Sequence, residues 1–239
     1  MASSNPTEYT HNESEGRERL NPSIFHARFY YLRQLRKLIE YAINNHLKGR
    51  GGVLFDYGCG AMPYRPLFQG AVDRYVGADL GENPGAELVI QPEGRIEVDD
   101  QSANIVLSTQ VLEHVDNPAE YLREARRVLK DDGVLILTTH GYWMYHPDPN
   151  DFWRWTSSGL QKIVREAGFD VVDFRGIIGR PAMGLQLFQD GLMFKFPKII
   201  RTPFVFFMQF FIWMFDKVSK QSQRDADGCT YLVVARVKK

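Results

Sequence analysis

A chain of 239 residues, 44% hydrophobic and 24% charged, is long enough to bury one full α/β core and too short for two comfortable ones. Lysine plus arginine and aspartate plus glutamate both total 29, which removes any global pull toward nucleic acid or an anionic membrane and disfavours a nucleic-acid substrate. The two cysteines, Cys59 and Cys229, allow neither a disulfide framework nor a zinc knuckle; they fit a reducing cytoplasm, as does the polar stretch Met1 to Arg19, which lacks the apolar core of an export signal.

Residues 1–22 carry Ser, Asn, Glu and Arg with almost no apolar periodicity, so a flexible arm is expected there, followed by one domain over 23–239. Between Ile24 and Leu47, apolar residues recur at three- and four-residue spacing (Phe29, Leu32, Leu35, Leu38, Ile39, Ala42, Ile43), which predicts an amphipathic helix packed before a sheet. A glycine-rich break leads into the strand Val53–Asp56. That strand runs into Tyr57-Gly58-Cys59-Gly60, a loop whose glycines let backbone approach a ligand at the carboxyl end of a strand. The third glycine of a dinucleotide fingerprint would fall at Pro63, so that motif is absent.

Pro63–Phe68 is a short helix, and Arg74–Asp79 a second strand ending on an acid, placed to accept hydrogen bonds from both hydroxyls of a ribose. The plainer reading of Asp79 is a cap on the next turn. Glu87–Ile90 is a weak third strand and Asn104–Thr109 a fourth. Pro118 opens a helix to Lys130, and Val134–Thr139 is a fifth strand. Thr156–Ala167 is a helix, Phe169–Phe174 a sixth strand and Thr230–Val237 the last. Strand and helix alternating over this length predict a parallel sheet covered on both faces.

Asp56-Tyr57-Gly58-Cys59-Gly60, together with Leu107-Ser108-Thr109-Gln110-Val111-Leu112-Glu113-His114-Val115 and the helix from Leu122 to Lys130, resembles class I S-adenosylmethionine-dependent methyltransferases over residues 50–140. The resemblance implies a Rossmann-like α/β fold: a mostly parallel seven-stranded sheet, helices on both faces, and here a helical insertion before the last strand. It implies S-adenosyl-L-methionine as cofactor and a small-molecule acceptor methylated on oxygen or nitrogen. Cofactor contacts would come from Asp56, Tyr57, Gly58, Cys59, Gly60, Asp79 and Gln110, with Leu80 on the adenine. The family's usual acid after the third strand is missing from Gln91-Pro92-Glu93, which leaves Glu93 as substitute.

Methyl transfer from a sulfonium needs alignment and, for weak nucleophiles, a base. His146 is the first candidate and His140 the second, since histidine titrates near working pH; His114 belongs to the family string and reads as loop-ordering. Trp143, Tyr145, Asp148, Asp151 and Arg154, just after the fifth strand, are the expected substrate-binding residues, although Arg154 paired with Asp151 or Asp148 could equally shape a wall. His146, Asp148, Asn150 and Asp151 as ligands of a divalent metal is a third reading, made awkward by two prolines, and no metal is expected. The segment from His146 to Thr156 also resembles enzymes of glycan and secondary-product biosynthesis, which points toward a sugar or glycolipid.

Residues 176–228 separate two strands that should pair, and an insertion of that size is expected to be functional. Within it, Pro203–Phe215 holds Phe204, Phe206, Phe207, Phe210, Phe211, Trp213 and Phe215 with Gln209 the polar exception, so burial on every side, in protein, in a partner or in lipid, is expected. A lid over the acceptor or a homodimer contact through 203–215 is the leading reading; a peripheral membrane helix flanked by Lys195, Lys198, Arg201, Lys217 and Lys220 is the alternative. The chain is then cytoplasmic, with or without membrane contact. The competing function is a binding or scaffold protein that kept the fold while its insertion recruits a membrane or partner.

Overall fold

The computed structural model describes residues 13–81, 83–148 and 150–239. Its strands are β1 (Val53–Tyr57), β2 (Arg74–Leu80), β3 (Leu88–Ile90), β4 (Ala103–Thr109), β5 (Leu129–His140), β6 (Phe169–Ile177) and β7 (Thr230–Val237). They form one sheet in the order β3-β2-β1-β4-β5-β7-β6. The pairs among β1 to β5 are parallel, and β7 runs antiparallel between β5 and β6. This is the expected Rossmann-like methyltransferase fold.

Alternating side chains explain why both faces are covered. Leu54, Ile105, Leu107, Val134, Ile136, Leu232 and Val234 point to one core, shared with helix α2 (Phe29–Ala42). Their neighbours Phe55, Val106, Leu135, Leu137 and Val233 point to the other, shared with α3 (Pro118–Val128) and α4 (Ser157–Glu166). The central strands are thus apolar on both sides, as a doubly covered sheet requires. Asn117 caps α3, accepting from Glu120 N, and Thr156 caps α4, accepting from Gly159 N.

Some boundaries differ from expectation. Residues 1–12 of the expected arm lie outside the described residues, but Glu13–Leu20 is a helix, α1, whose Gly16 is buried close to Ala61. The first long helix begins at Phe29 rather than Ile24, because 24–28 form turns that leave Ile24 and Phe25 exposed. The helix expected to reach Lys130 stops at Val128, since Leu129 already pairs with Ala103 of β4.

The insertion folds as three helices, α5 (Arg180–Met193), α6 (Lys198–Asp216) and α7 (Gln221–Asp227). The chain itself does not bury α6 all round. One stripe of α6, Val205, Met208, Gln209, Ile212 and Asp216, is buried, and Ile212 joins Ala182 and Met183 in the α2-side core. Gln209 does what the start of α2 cannot do for itself. Arg28 gives no side-chain cap, and Gln209 Oε1 instead accepts from Tyr30 N at 2.9 Å, while its Nε2 donates to Ala27 O at 2.8 Å and to Gln189 Oε1 at 2.8 Å. Asp216 ties three elements together, accepting from Tyr30 Oη (2.8 Å), Gly179 N (2.8 Å) and Arg224 Nε (3.2 Å).

Gln209→Leu keeps the volume but strands buried groups, each costing about 1 to 3 kcal/mol. Urea unfolding should therefore show a loss on the order of 2 kcal/mol or more, and unchanged stability would mean that water serves these groups equally well.

Candidate functional site

Strand order reverses between β1 and β4, and the carboxyl ends of the strands open there into a cavity of about 710 Å³. One half is built from the glycine loop. Gly58 N and Cys59 N donate to Ala78 O at 2.9 and 3.0 Å, folding the loop over the end of β2. Gly58 has φ +82°, and a Cβ there would sit 2.6 Å from Val111 Cγ2, so this glycine is required by the packing of the loop after β4 as well as by its backbone. Asp79 Oδ2 accepts from Gly60 N (2.9 Å) and Asn83 Nδ2 (2.7 Å), and its Oδ1 accepts from Leu80 N (2.9 Å). The carboxylate thereby fixes the loop at the cavity wall. Cys59, Gly60, Leu80 and Glu93 line the same half.

Gln110 lines the floor with φ +58°, an uncommon backbone for a side-chain-bearing residue. Its Oε1 accepts from Tyr31 Oη at 2.9 Å, and its Nε2 donates to Thr138 Oγ1 at 3.1 Å. Strain held by partners on both sides is characteristic of functional sites.

Asp56 and Tyr57, expected among the cofactor contacts, do not line the cavity. Asp56 lies beneath it, 2% exposed, with Oδ2 accepting from Tyr75 Oη and Oδ1 lacking a hydrogen-bond partner among the described residues. Burial pushes its carboxyl up to about 7; the Tyr75 hydrogen bond opposes this and the charge of Asp79 adds to it. Tyr57 donates to Gly94 O, and its ring stacks on Tyr121 at 4.1 Å, supporting a residue that does line the cavity.

The other half holds three histidines. His140 ends β5, buried, its ring stacked 4.6 Å from Trp143 and its Nε2 3.3 Å from Glu113 Oε1. Burial lowers its pKa well below the ordinary value and raises that of Glu113, and neighbouring His146 lowers His140 further. His146 stands edge-on to both His140 and His114, each 5.0 Å away. Its Nδ1 donates to Met144 O at 3.2 Å, because a carbonyl can only accept, so Nε2 carries the bare lone pair of the neutral ring. Burial lowers its pKa, which keeps it neutral near pH 7. His114 Nδ1 likewise donates to Asn150 O at 2.5 Å. Ligand atoms of Glu113, His114 and His146 lie within 4.8 Å of one another.

Trp143 and Asp148 line this half as expected; Tyr145, Asp151 and Arg154 do not. Tyr145 is 76% exposed. Arg154 grips Asp151 through two 2.6 Å contacts, and Asp151 Oδ2 accepts from His146 N at 2.8 Å, so this pair holds the His146 loop and shapes the wall. None of residues 203–215 is among those lining the cavity, which removes the expected lid. The sequence reading missed His26, Arg28 and Tyr31: they precede the sheet by many residues yet line the cavity, with Tyr31 4.4 Å from Trp143 and Arg28 over the Trp143 ring at 5.1 Å. The Arg28 to Tyr31 run was the available signal, polar-tipped side chains beside an apolar helical stripe.

The sequence model described as a methyltransferase domain matches residues 25–173. A ubiquinone biosynthesis O-methyltransferase of Cereibacter sphaeroides is 26% identical over 183 residues, covering 64% of this chain and 74% of its own. Among solved structures, the [4+2]-cyclase SpnF superposes with TM-score 0.53 at 19% identity, covering 86% of this chain and 82% of its own. Haemonchus contortus phosphoethanolamine N-methyltransferase 2 with S-adenosyl-L-methionine gives 0.53 at 14%, covering 95% and 60%. These structural likenesses concern the fold.

The buried Asp56 makes a prediction with a definite sign. Its folded pKa is raised, so the folded state retains a proton that the unfolded chain releases above about 3.9, and stability falls as pH rises from there to about 7. Asp56→Asn keeps an acceptor for Tyr75 and removes that slope, so its stability relative to wild type should improve from pH 5 to pH 8 in urea titrations of the ligand-free protein. A difference independent of pH would show that Asp56 stays charged throughout.

Proposed function

We infer the acceptor chemistry from a plain premise: the chain belongs to the methyltransferase domain family and is an S-adenosylmethionine-dependent methyltransferase. Backbone at Gly58 and Gly60, with Asp79, Leu80, Glu93 and Gln110, is the half suited to S-adenosylmethionine, which supplies an electrophilic methyl group when bound. The fit rests on the glycine cradle, the acid at the end of β2, and a volume inside the usual range of about 300 to 1,000 Å³ for small-molecule sites.

Our reading is O-methylation of a small hydroxyl-bearing molecule, with His146 as general base. The observation that carries it is the bare Nε2 of a neutral, half-buried His146 at the cavity wall. With S-adenosylmethionine bound, its methyl would be the electrophile for the acceptor oxygen, and the His146 imidazole would take that hydroxyl's proton, leaving S-adenosylhomocysteine as co-product. Trp143 and His140 offer a flat apolar wall, and the buried Trp143 Nε1, without a hydrogen-bond partner among the described residues, offers a donor. The curated relative's printed activity is O-methylation, which favours oxygen over nitrogen. The sugar or glycolipid expectation finds no support in the relatives. The enzyme would work in the cytoplasm.

A second reading follows from the convergence of Glu113, His114 and His146: a divalent cation there would lower the pKa of an acceptor hydroxyl in place of a base. Chelation separates the two, since only the cation reading loses turnover on chelator treatment and regains it with added metal.

Production of S-adenosylhomocysteine with a panel of phenols and other alcohols tests the activity. His146→Ala should lower kcat by roughly 10² to 10⁴ with S-adenosylmethionine affinity intact. Because burial lowers the His146 pKa, the wild-type rising limb should lie below pH 6.5, as activity appears when the ring loses its proton, and the variant should lack it. Retained turnover with the same limb removes His146 as base. Asp79→Ala should weaken S-adenosylmethionine binding by about 1 to 3 kcal/mol in calorimetry; unchanged affinity would remove Asp79 from the cofactor half.

A further inference from the structure

We infer that the outer face of the α5–α6 hairpin docks on an anionic lipid surface. The buried stripe of α6, held by Gln209 and Asp216, fixes which side looks out. On that side Phe206, Phe207, Phe210, Phe211 and Trp213 are each at least 40% exposed. Ile199 at the start of the helix is 84% exposed, and Leu187 and Phe188 of α5 extend the surface. A contiguous aromatic face of this extent marks an interaction site.

Charge selects the occupant. From residue 180 to 220 the chain carries Arg180, Lys195, Lys198, Arg201, Lys217 and Lys220 against Asp190 and Asp216, a local excess of positive charge in a protein whose total is zero, with Arg180 paired to Asp227 just beyond. Asp216 is buried and Asp190 partly so, whereas Lys195 and Lys198 at one end of α6 and Lys217 and Lys220 at the other are exposed. Lys217 Nζ lies 3.7 Å over the Trp213 ring. Aromatics on the flat and lysines at both rims match a helix lying in the headgroup region of an anionic bilayer.

A second copy fits less well. A two-fold contact between antiparallel α6 helices sets the lysines of one end against those of the other, with no exposed acid on α6 to offset them. Helix α6 is long and apolar enough to cross a membrane, but spanning would tear Gln209 and Asp216 from the start of α2 and from Gly179. The surface reaches the cavity: Phe25 packs on Phe206 at 6.1 Å, and His26 and Arg28 line the cavity. Docking therefore brings that wall of the cavity toward the lipid.

The test is sedimentation of the full chain with vesicles of phosphatidylcholine and phosphatidylglycerol, against phosphatidylcholine alone. The wild type should sediment with the mixed vesicles, far less with the neutral ones, and be released by salt. Phe207→Glu with Phe211→Glu, both on the exposed face, should lower vesicle partition about tenfold or more, with the thermal midpoint and S-adenosylmethionine affinity unchanged. Lys195→Glu with Lys217→Glu should abolish the preference for phosphatidylglycerol. The inference is overturned if the wild type stays in the supernatant with mixed vesicles, if the phenylalanine variant sediments as well as wild type, or if light scattering shows a dimer that this variant dissociates without any vesicle binding.

Discussion

The reversal of strand order between β1 and β4 is the constraint on which the site depends. Parallel strands all present their carboxyl ends to the same edge, and loops from β1 and β2 turn one way while those from β4 and β5 turn the other. The gap cannot be filled by a crossover helix, so it must be walled by loops that touch across it. Here that contact is Val111 against Gly58: any side chain at 58 would drive the two loops apart. The two halves of the cavity therefore meet at one packing contact, and Gln110, next to Val111, holds a positive φ.

Electrostatics in the acceptor half follow from burial more than from charge pairing. Desolvation is the largest cause of the shifts at His140, His146 and Glu113 alike, pushing the imidazoles and the carboxyl toward their neutral forms. At His146 burial outweighs the opposing pull of the Met144 carbonyl and of Asp151 Oδ2, 3.4 Å from its Nδ1. Asp151 does have a partner, Arg154, which holds its carboxyl below the usual range and spends the ion pair on fixing the His146 backbone.

The fold was legible because its evidence is periodic and local. Strands ending in Asp56 and Asp79, the glycine loop and the Pro118 helix each announced themselves within a few residues, and the sheet followed from their alternation. The glycine-loop side of the cavity was legible for the same reason, except that Asp56 and Tyr57 do not line it: alternation along β1 sends neighbouring side chains to opposite faces, but the sequence does not say which reaches the cavity. The acceptor half was read from one continuous segment and so was only half seen. Tyr31 in α2 and Arg28 just before it lie more than a hundred residues from Trp143, and no local pattern encodes such a meeting. Arg154 and Asp151 pair with each other off the cavity lining, and a charged pair in a loop looks the same in sequence whether it binds substrate or holds the loop.

The insertion was harder still, because a run of aromatics states that something covers it without stating what. Burial of a single stripe decides part of the matter, since an α6 buried all round would have shown no outward face. What fixes that stripe is polar: Gln209 supplies the cap that Arg28 does not, and Asp216 binds Tyr30 in the same first turn of α2. That turn also carries Tyr31, whose hydroxyl reaches Gln110 on the cavity floor. A helix outside the sheet thus braces the segment that closes this side of the cavity. Helix α6 therefore meets the start of α2 both through the core around Ile212 and through the hydrogen bonds of Gln209 and Asp216 to Ala27 and Tyr30, the residue next to Tyr31 of the cavity wall.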